Sequence, residues 1–205
     1  MNGSGEPVPP WRNNAMTQTP PDLLRQLYQT ALAASADRQS HPTRDRSATA
    51  RSAAMALTSD LGLEAIQLET VPDAGIPALV RPHADLARAT PPGTVIFSSA
   101  SPQRLRGQDN LARNLSYLLG LGLALDGARD IWALAADTEG LDSGGAAAGA
   151  LLHPDSLSRA LALGLEPGSL LDQGEALHFF ASLNDLLPPA PAEARIRDFR
   201  AILVL

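Results

Sequence analysis

The run Ile131-Trp-Ala-Leu-Ala-Ala136-Asp137-Thr138-Glu139-Gly140-Leu141-Asp142-Ser143-Gly144-Gly145-Ala146-Ala147-Ala148-Gly149-Ala150 decides the fold class. Its first six residues are apolar and suit a buried strand, and they stop abruptly at Asp137-Thr138-Glu139-Gly140. In an open α/β sheet, ligands bind at the carboxyl ends of strands, where the chain leaves the sheet with free backbone groups. Small residues and carboxylates at such a point read as a site, or as the remains of one.

Working outward, apolar strand-like runs alternate with helix-like stretches. Residues 47–61 suit an Ala-rich helix and 64–70 a strand. Residues 76–89 suit a helix interrupted at Pro82, and 94–98 a strand. Residues 109–125 form a long apolar helix before the central strand at 131–136. Helices are expected at 154–163 and 174–187, and a closing strand at 200–205. Strands separated by helices of this length imply crossover connections, so the expected fold is a three-layer α/β sandwich with a mostly parallel sheet. Residues 1–19 carry Pro, Asn, Gly, Ser and Thr without periodicity and are expected to form a disordered arm. Pro20-Pro21-Asp22 then suits a helix start. Leu23, Leu24, Leu27, Tyr28, Ala31 and Leu32 share one face of that helix. The implied organisation is an arm over 1–19, a helix and polar linker over 20–46, and an α/β domain over 47–205. The apolar stripe needs cover, from its own domain, a second copy or another protein; an intermolecular partner is slightly favoured.

The motif at 138–150 resembles the C-terminal MOFRL domain of class II glycerate kinases. There the pattern reads Thr-Asp-Gly-Ile-Asp-Gly-Pro-Thr-Asp-Ala-Ala-Gly-Ala, and it aligns here without a gap. Thr138, Gly140, Asp142, Ala147, Ala148, Gly149 and Ala150 match, and Glu139 keeps an acid. Ala146 replaces an Asp, and Gly144-Gly145 replaces Pro-Thr. The resemblance covers roughly 47–205 and independently implies an α/β fold. The helix at 20–36 resembles the first helix of the full-length kinases, so that most of their first domain is expected to be missing between it and residue 47.

Further motifs follow from the same resemblance. The family's Gly-Arg-Asn-Gln-Glu, at the start of a long apolar helix, becomes Ala112-Arg113-Asn114-Leu115-Ser116. An arginine in the first turn of a helix can hold an anion by guanidinium, backbone N–H and dipole together. A surface arginine on an amphipathic helix is the plain alternative. The family's Ser-Gly-Gly-Glu after a strand becomes Ser98-Ser99-Ala100-Ser101, where only Ser98 holds. Serines there more often cap a turn than bind phosphate. Of the family's Gly-Pro-Thr-Gly-Thr-Asn-Val-Asn-Asp-Leu-Arg motif before the last strand, Pro191, Asp198 and Arg200 survive, and Asp198 and Arg200 are as readily an ion pair as a site. The resemblance makes Arg113 the candidate catalytic residue and Ser98, Asn114, Thr138 and Asp142 candidate substrate-binding residues. Glu139 and Asp142, three apart on a loop, are a candidate magnesium pair, although such a pair is more often a solvated turn.

Composition narrows the classes. A chain of 205 residues with 44% hydrophobic content holds one good core. The net charge is −6 and all 16 basic residues are arginine, so no lysine is available to neutralise a transferring phosphoryl group. An acidic chain without a basic stripe does not suggest nucleic acid as partner. With no cysteine there is no disulfide, thiolate nucleophile or Cys-ligated metal. No apolar run is long enough to cross a bilayer and no secretory leader is legible, so a cytoplasmic location is expected. The four histidines, His41, His83, His153 and His178, show neither metal-ligand spacing nor a serine partner. No GxGxxG dinucleotide fingerprint is present.

The resemblance implies a parent reaction in which ATP, with magnesium, phosphorylates the 2-hydroxyl of D-glycerate. The degenerate motifs imply a chain that is not a competent kinase alone. Three roles are open: a partner-binding domain that associates with its own copy or with a full-length glycerate kinase, a kinase half needing a separate first domain, and a small-anion binding module.

Overall fold

The computed structural model describes residues 18–36, 46–69, 75–98, 113–138, 147–191, 193–194, 196 and 198–205. Seven helices and six strands fall within these residues. The helices are α1 (Pro20–Ala36), α2 (Arg46–Asp60), α3 (Ile76–Ala89), α4 (Arg113–Leu125), α5 (Ser156–Ala162), α6 (Pro167–Asp172) and α7 (Ala176–Ser182). The strands are β1 (Glu64–Gln67), β2 (Thr94–Ser98), β3 (Ile131–Ala136), β4 (Gly149–Leu152), β5 (Leu186–Leu187) and β6 (Phe199–Val204).

The strands form one sheet in the order β1-β2-β6-β3-β4-β5. The four strands expected from sequence share it, and helices cover both faces, so the three-layer α/β architecture stands. Its expected direction does not. Only β1 and β2 are parallel, while β2–β6, β6–β3, β3–β4 and β4–β5 are all antiparallel. Alternating strands and helices imply parallel neighbours only where each helix is a crossover between them. Here β4, the next described strand after β3, pairs with it antiparallel, and no helix is found among the described residues between β5 and β6. The small-residue motif thus ends in a strand, Gly149–Leu152, that sequence reading left inside the loop.

Residue alternation assigns each strand's side chains to a layer. On one face, Val95, Phe97, Leu134, Phe199, Ala201 and Leu203 pack under α1 and α2. On the other, Ile96, Ala133, Ala135, Ile202 and Val204 pack under α3, α4, α5 and α7. Helix α1 begins as Thr19-Pro-Pro-Asp22. Thr19 donates through Oγ1 to the Asp22 carboxylate at 2.5 Å, and its carbonyl accepts from Leu23 N at 3.0 Å. Leu24, Leu27 and Ala31 are fully buried against the chain's own sheet and α2. The slightly favoured intermolecular cover for this stripe is therefore corrected, because its own domain supplies it. Burying each large side chain stabilises by about 1.5–3 kcal/mol.

Helix α3 runs unbroken through Pro82, contrary to the expected interruption. Both Pro82 and Ala78, whose carbonyl loses its helical donor, are exposed, so water can satisfy that carbonyl. Helix α4 is buried nearly all round and sits at the centre of its layer. Gly120 and Gly122 permit this. A Cβ at Gly122 would lie 2.9 Å from Leu152 Cδ1, and one at Gly120 would lie 3.1 Å from Val80 Cγ2. The expected helix over 174–187 is shorter, because Asn184 adopts a left-handed φ of 59° and the chain becomes β5. No described helix is long and apolar enough to cross a membrane.

Candidate anion site at the carboxyl ends of β2 and β3

Strands β2 and β3 point the same way, and β6 lies between them in the opposite sense. The carboxyl ends of β2 and β3, the start of β6 and the first turn of α4 therefore meet at one edge. Ser98 ends β2 and pairs in register with Arg200, while Ala136 of β3 pairs with Phe199. Arg113 and Asn114 open α4 above them.

Arg200 organises this edge. Its alternation partners Ile202 and Val204 place it under α4, and it is only 1% exposed. Nε donates to Asn114 Oδ1 at 2.9 Å, and Nη2 donates to Asp198 Oδ1 at 3.3 Å. The guanidinium carbon lies 4.4 Å from the ring centroid of Tyr117, a stacking that suits a weakly hydrated, delocalised cation. Its Nη1 is buried and has no hydrogen-bond partner among the described residues. Arg113, 16% exposed, places Nη1 3.8 Å from the other oxygen of Asp198. One carboxylate thus faces two guanidinium groups.

The network continues inward. The Tyr117 hydroxyl lies 2.7 Å from His83 Nδ1 and is also hydrogen-bonded to Ser98. Burial pushes the Tyr117 phenol up to about 12, although Arg200 and Ser98 work against that rise. Burial, with the Arg200 charge second, lowers His83 from 6.5 to about 4, so its imidazole is neutral at pH 7. Across the sheet, Tyr28 of α1 packs at 5.8 Å against Phe199, and its buried hydroxyl has no partner among the described residues. Burial first, then the nearby Asp137 carboxylate, raises its pKa.

Of the residues singled out from sequence, Ser98, Arg113 and Asn114 converge on Arg200. Thr138 sits at the same edge but its hydroxyl serves the fold: it donates to Ala194 O at 2.9 Å and accepts from Ile196 N at 2.8 Å. That pins the segment leading into β6 across the end of β3. Glu139 and Asp142 lie outside the described residues. Among the described residues no group of three or more His, Asp or Glu could hold a metal ion. Sequence reading assigned Tyr117 no role and found no partner for His83. The available signal was Arg200 itself, an arginine between Phe199 and Ala201-Ile202-Leu203, where burial demands polar neighbours.

This architecture and edge define an α/β domain with a six-stranded mixed sheet and a buried polar cluster at one end of it. Residues 102–198 match the MOFRL family. Two proteins of Agrobacterium vitis, both named as hydroxypyruvate reductases, are each 42% identical over 92 residues. That stretch is 45% of this chain but 24% and 21% of theirs. Among solved structures, a glycerate kinase of Thermotoga maritima matches with a TM-score of 0.66 at 19% identity, over 78% of this chain and 40% of that one. A protein of Pyrococcus horikoshii matches with a TM-score of 0.61 at 16% identity, over 77% of this chain and 38% of that one. At these identities the likeness is one of fold.

Proposed function

We propose that this chain is a diverged relative of the glycerate 2-kinases that keeps an oxyanion-binding edge and does not phosphorylate D-glycerate by itself. The observation that carries this reading is the charge balance at Arg200. Among the described residues two guanidinium groups face one carboxylate, the neighbouring imidazole is neutral, and a buried Nη1 lacks a partner. A desolvated cation with an unfilled donor favours an anionic oxygen over water.

The residues present suit binding better than phosphoryl transfer. That chemistry needs positive charge from several directions around the transferred group. The chain has no lysine, its Ser98 loop lacks the Gly-Gly-Glu of the kinases, and the Thr138 hydroxyl is committed to backbone. The natural ligand class is a small acid bearing a carboxylate or phosphate, such as D-glycerate or 2-phosphoglycerate, met in the cytoplasm. ATP and magnesium enter this reading only with a complementing polypeptide, such as a full-length kinase, supplying the opposite wall.

Calorimetry with D-glycerate, 2-phosphoglycerate and ATP-magnesium, run beside a coupled kinase assay, tests it. Binding of at least one acid with no turnover above background is expected. ATP-dependent turnover within a few hundredfold of a full-length enzyme, abolished by Arg113→Ala, would overturn it.

A further inference from the structure

Asp198 is held at this edge in an unusual way. Its backbone adopts the left-handed region, φ 49°, where a residue with a side chain pays a conformational cost. Its oxygens lie 3.3 Å from Arg200 Nη2 and 3.8 Å from Arg113 Nη1. Both separations exceed the roughly 2.7–2.9 Å of a well-formed guanidinium–carboxylate bond. The two arginines come from separate elements, α4 and β6, and converge on a space that one short carboxylate spans loosely. Even so, Arg200 Nη1 has no acceptor among the described residues. An oxyanion free to choose its position would meet these donors at shorter range than a carboxylate tethered to a turn.

We infer that Asp198 is the site's built-in anion: in the unliganded chain its carboxylate stands where a ligand's carboxylate or phosphate binds, and the ligand must displace it from Arg113. This rests on the oxyanion reading above and adds a regulation to it. Affinity is set by competition with an internal charge, so weak anions are rejected and only a ligand offering more, or better placed, oxygens takes the arginines. Arg200 keeps its bond to Asn114 throughout, which leaves Arg113 as the arm that changes partner.

The test compares the natural chain with Asp198→Asn at constant ionic strength, titrating inorganic phosphate in one arm and acetate in the other. Removing a like charge at contact distance from a partly desolvated site should raise phosphate affinity by roughly tenfold or more. Acetate affinity should rise in the same direction, and the relative gain in the two arms tells a phosphate site from a carboxylate site. Affinity unchanged or weakened in Asp198→Asn, with binding intact in the natural chain, would overturn the inference and leave the oxyanion reading standing. Absence of binding in both chains would remove that reading and the inference with it. A second measurement needs no variant. In carboxyl-13C-labelled natural protein, the Asp198 resonance should shift on saturation with phosphate. Binding registered at Arg113 while that resonance stays fixed would equally overturn the proposal.

Discussion

At the scale of single residues, the feature with the widest reach is the contact between a neutral imidazole and a cation across one aromatic ring. His83 and Arg200 both lean on Tyr117, one by hydrogen bond and one by stacking. Protonating His83 would set a second positive charge near Arg200 in a desolvated layer. In the unfolded chain the imidazole titrates near 6.5, and in the folded chain near 4. Between those values the unfolded state binds the extra proton, so stability is full above about pH 6.5 and falls as pH drops toward 4. After discounting for solvent screening, the loss across the window is on the order of 2–3 kcal/mol. Urea unfolding at pH 7, 5.5 and 4.5 measures it. His83→Gln, which can still accept from Tyr117, should flatten that slope; an unchanged slope would assign the acid sensitivity to other groups.

At the scale of elements, the β3–β4 pair turns the family motif into structure. Gly149 sits opposite Ala136, and a Cβ there would overlap the Ala135 carbonyl oxygen and come within 2.7 Å of Ala136 Cα. Neither obstacle is a flexible side-chain end. Gly149→Ala should therefore cost on the order of 3 kcal/mol. Gly168→Ala in α6, where a Cβ meets nothing within 4 Å, should be neutral or gain less than about 1 kcal/mol. Denaturant midpoints of the two variants decide the matter, and equal midpoints would refute the steric account. The same pair shows what sequence could and could not tell. Apolar runs exposed β2, β3 and β6, because buried strands must be apolar whatever their partners, while β1, with Glu64 and Gln67 exposed, was legible only as a short run between helix-like stretches. Strand direction stayed hidden, since side-chain alternation is identical in parallel and antiparallel neighbours. Ala150-Leu151-Leu152 was passed over because a few small residues after a Gly-rich run carry too little pattern. At the site, Ser98, Arg113 and Asn114 were legible through their motif positions. Tyr117 and His83 were not, since a tyrosine in an apolar helix and a histidine beside Pro82 are ordinary until folding places them 2.7 Å apart.

At the scale of the whole molecule, the sheet is held together by its last strand in chain order. β1 and β2 pair with each other, and β3, β4 and β5 pair in series, and among the described strands only β6 joins the two groups. Its core residues, Phe199, Ala201, Ile202 and Leu203, are buried on both faces. The site depends on the same strand, since β6 carries Arg200, which bonds Asn114 of α4. The order of synthesis follows. Two part-sheets with open edges, each a template for unwanted pairing, must wait while the remaining residues are made. The closing contacts are of high sequence separation, which slows folding and prolongs that exposure. A chain ending at residue 198 should show no cooperative thermal transition and should scatter as a mixture above monomer mass. A monodisperse monomer that unfolds cooperatively would show that the halves close without β6. Until that strand emerges from the ribosome, all seven described helices have been made and the sheet between them is still in two pieces.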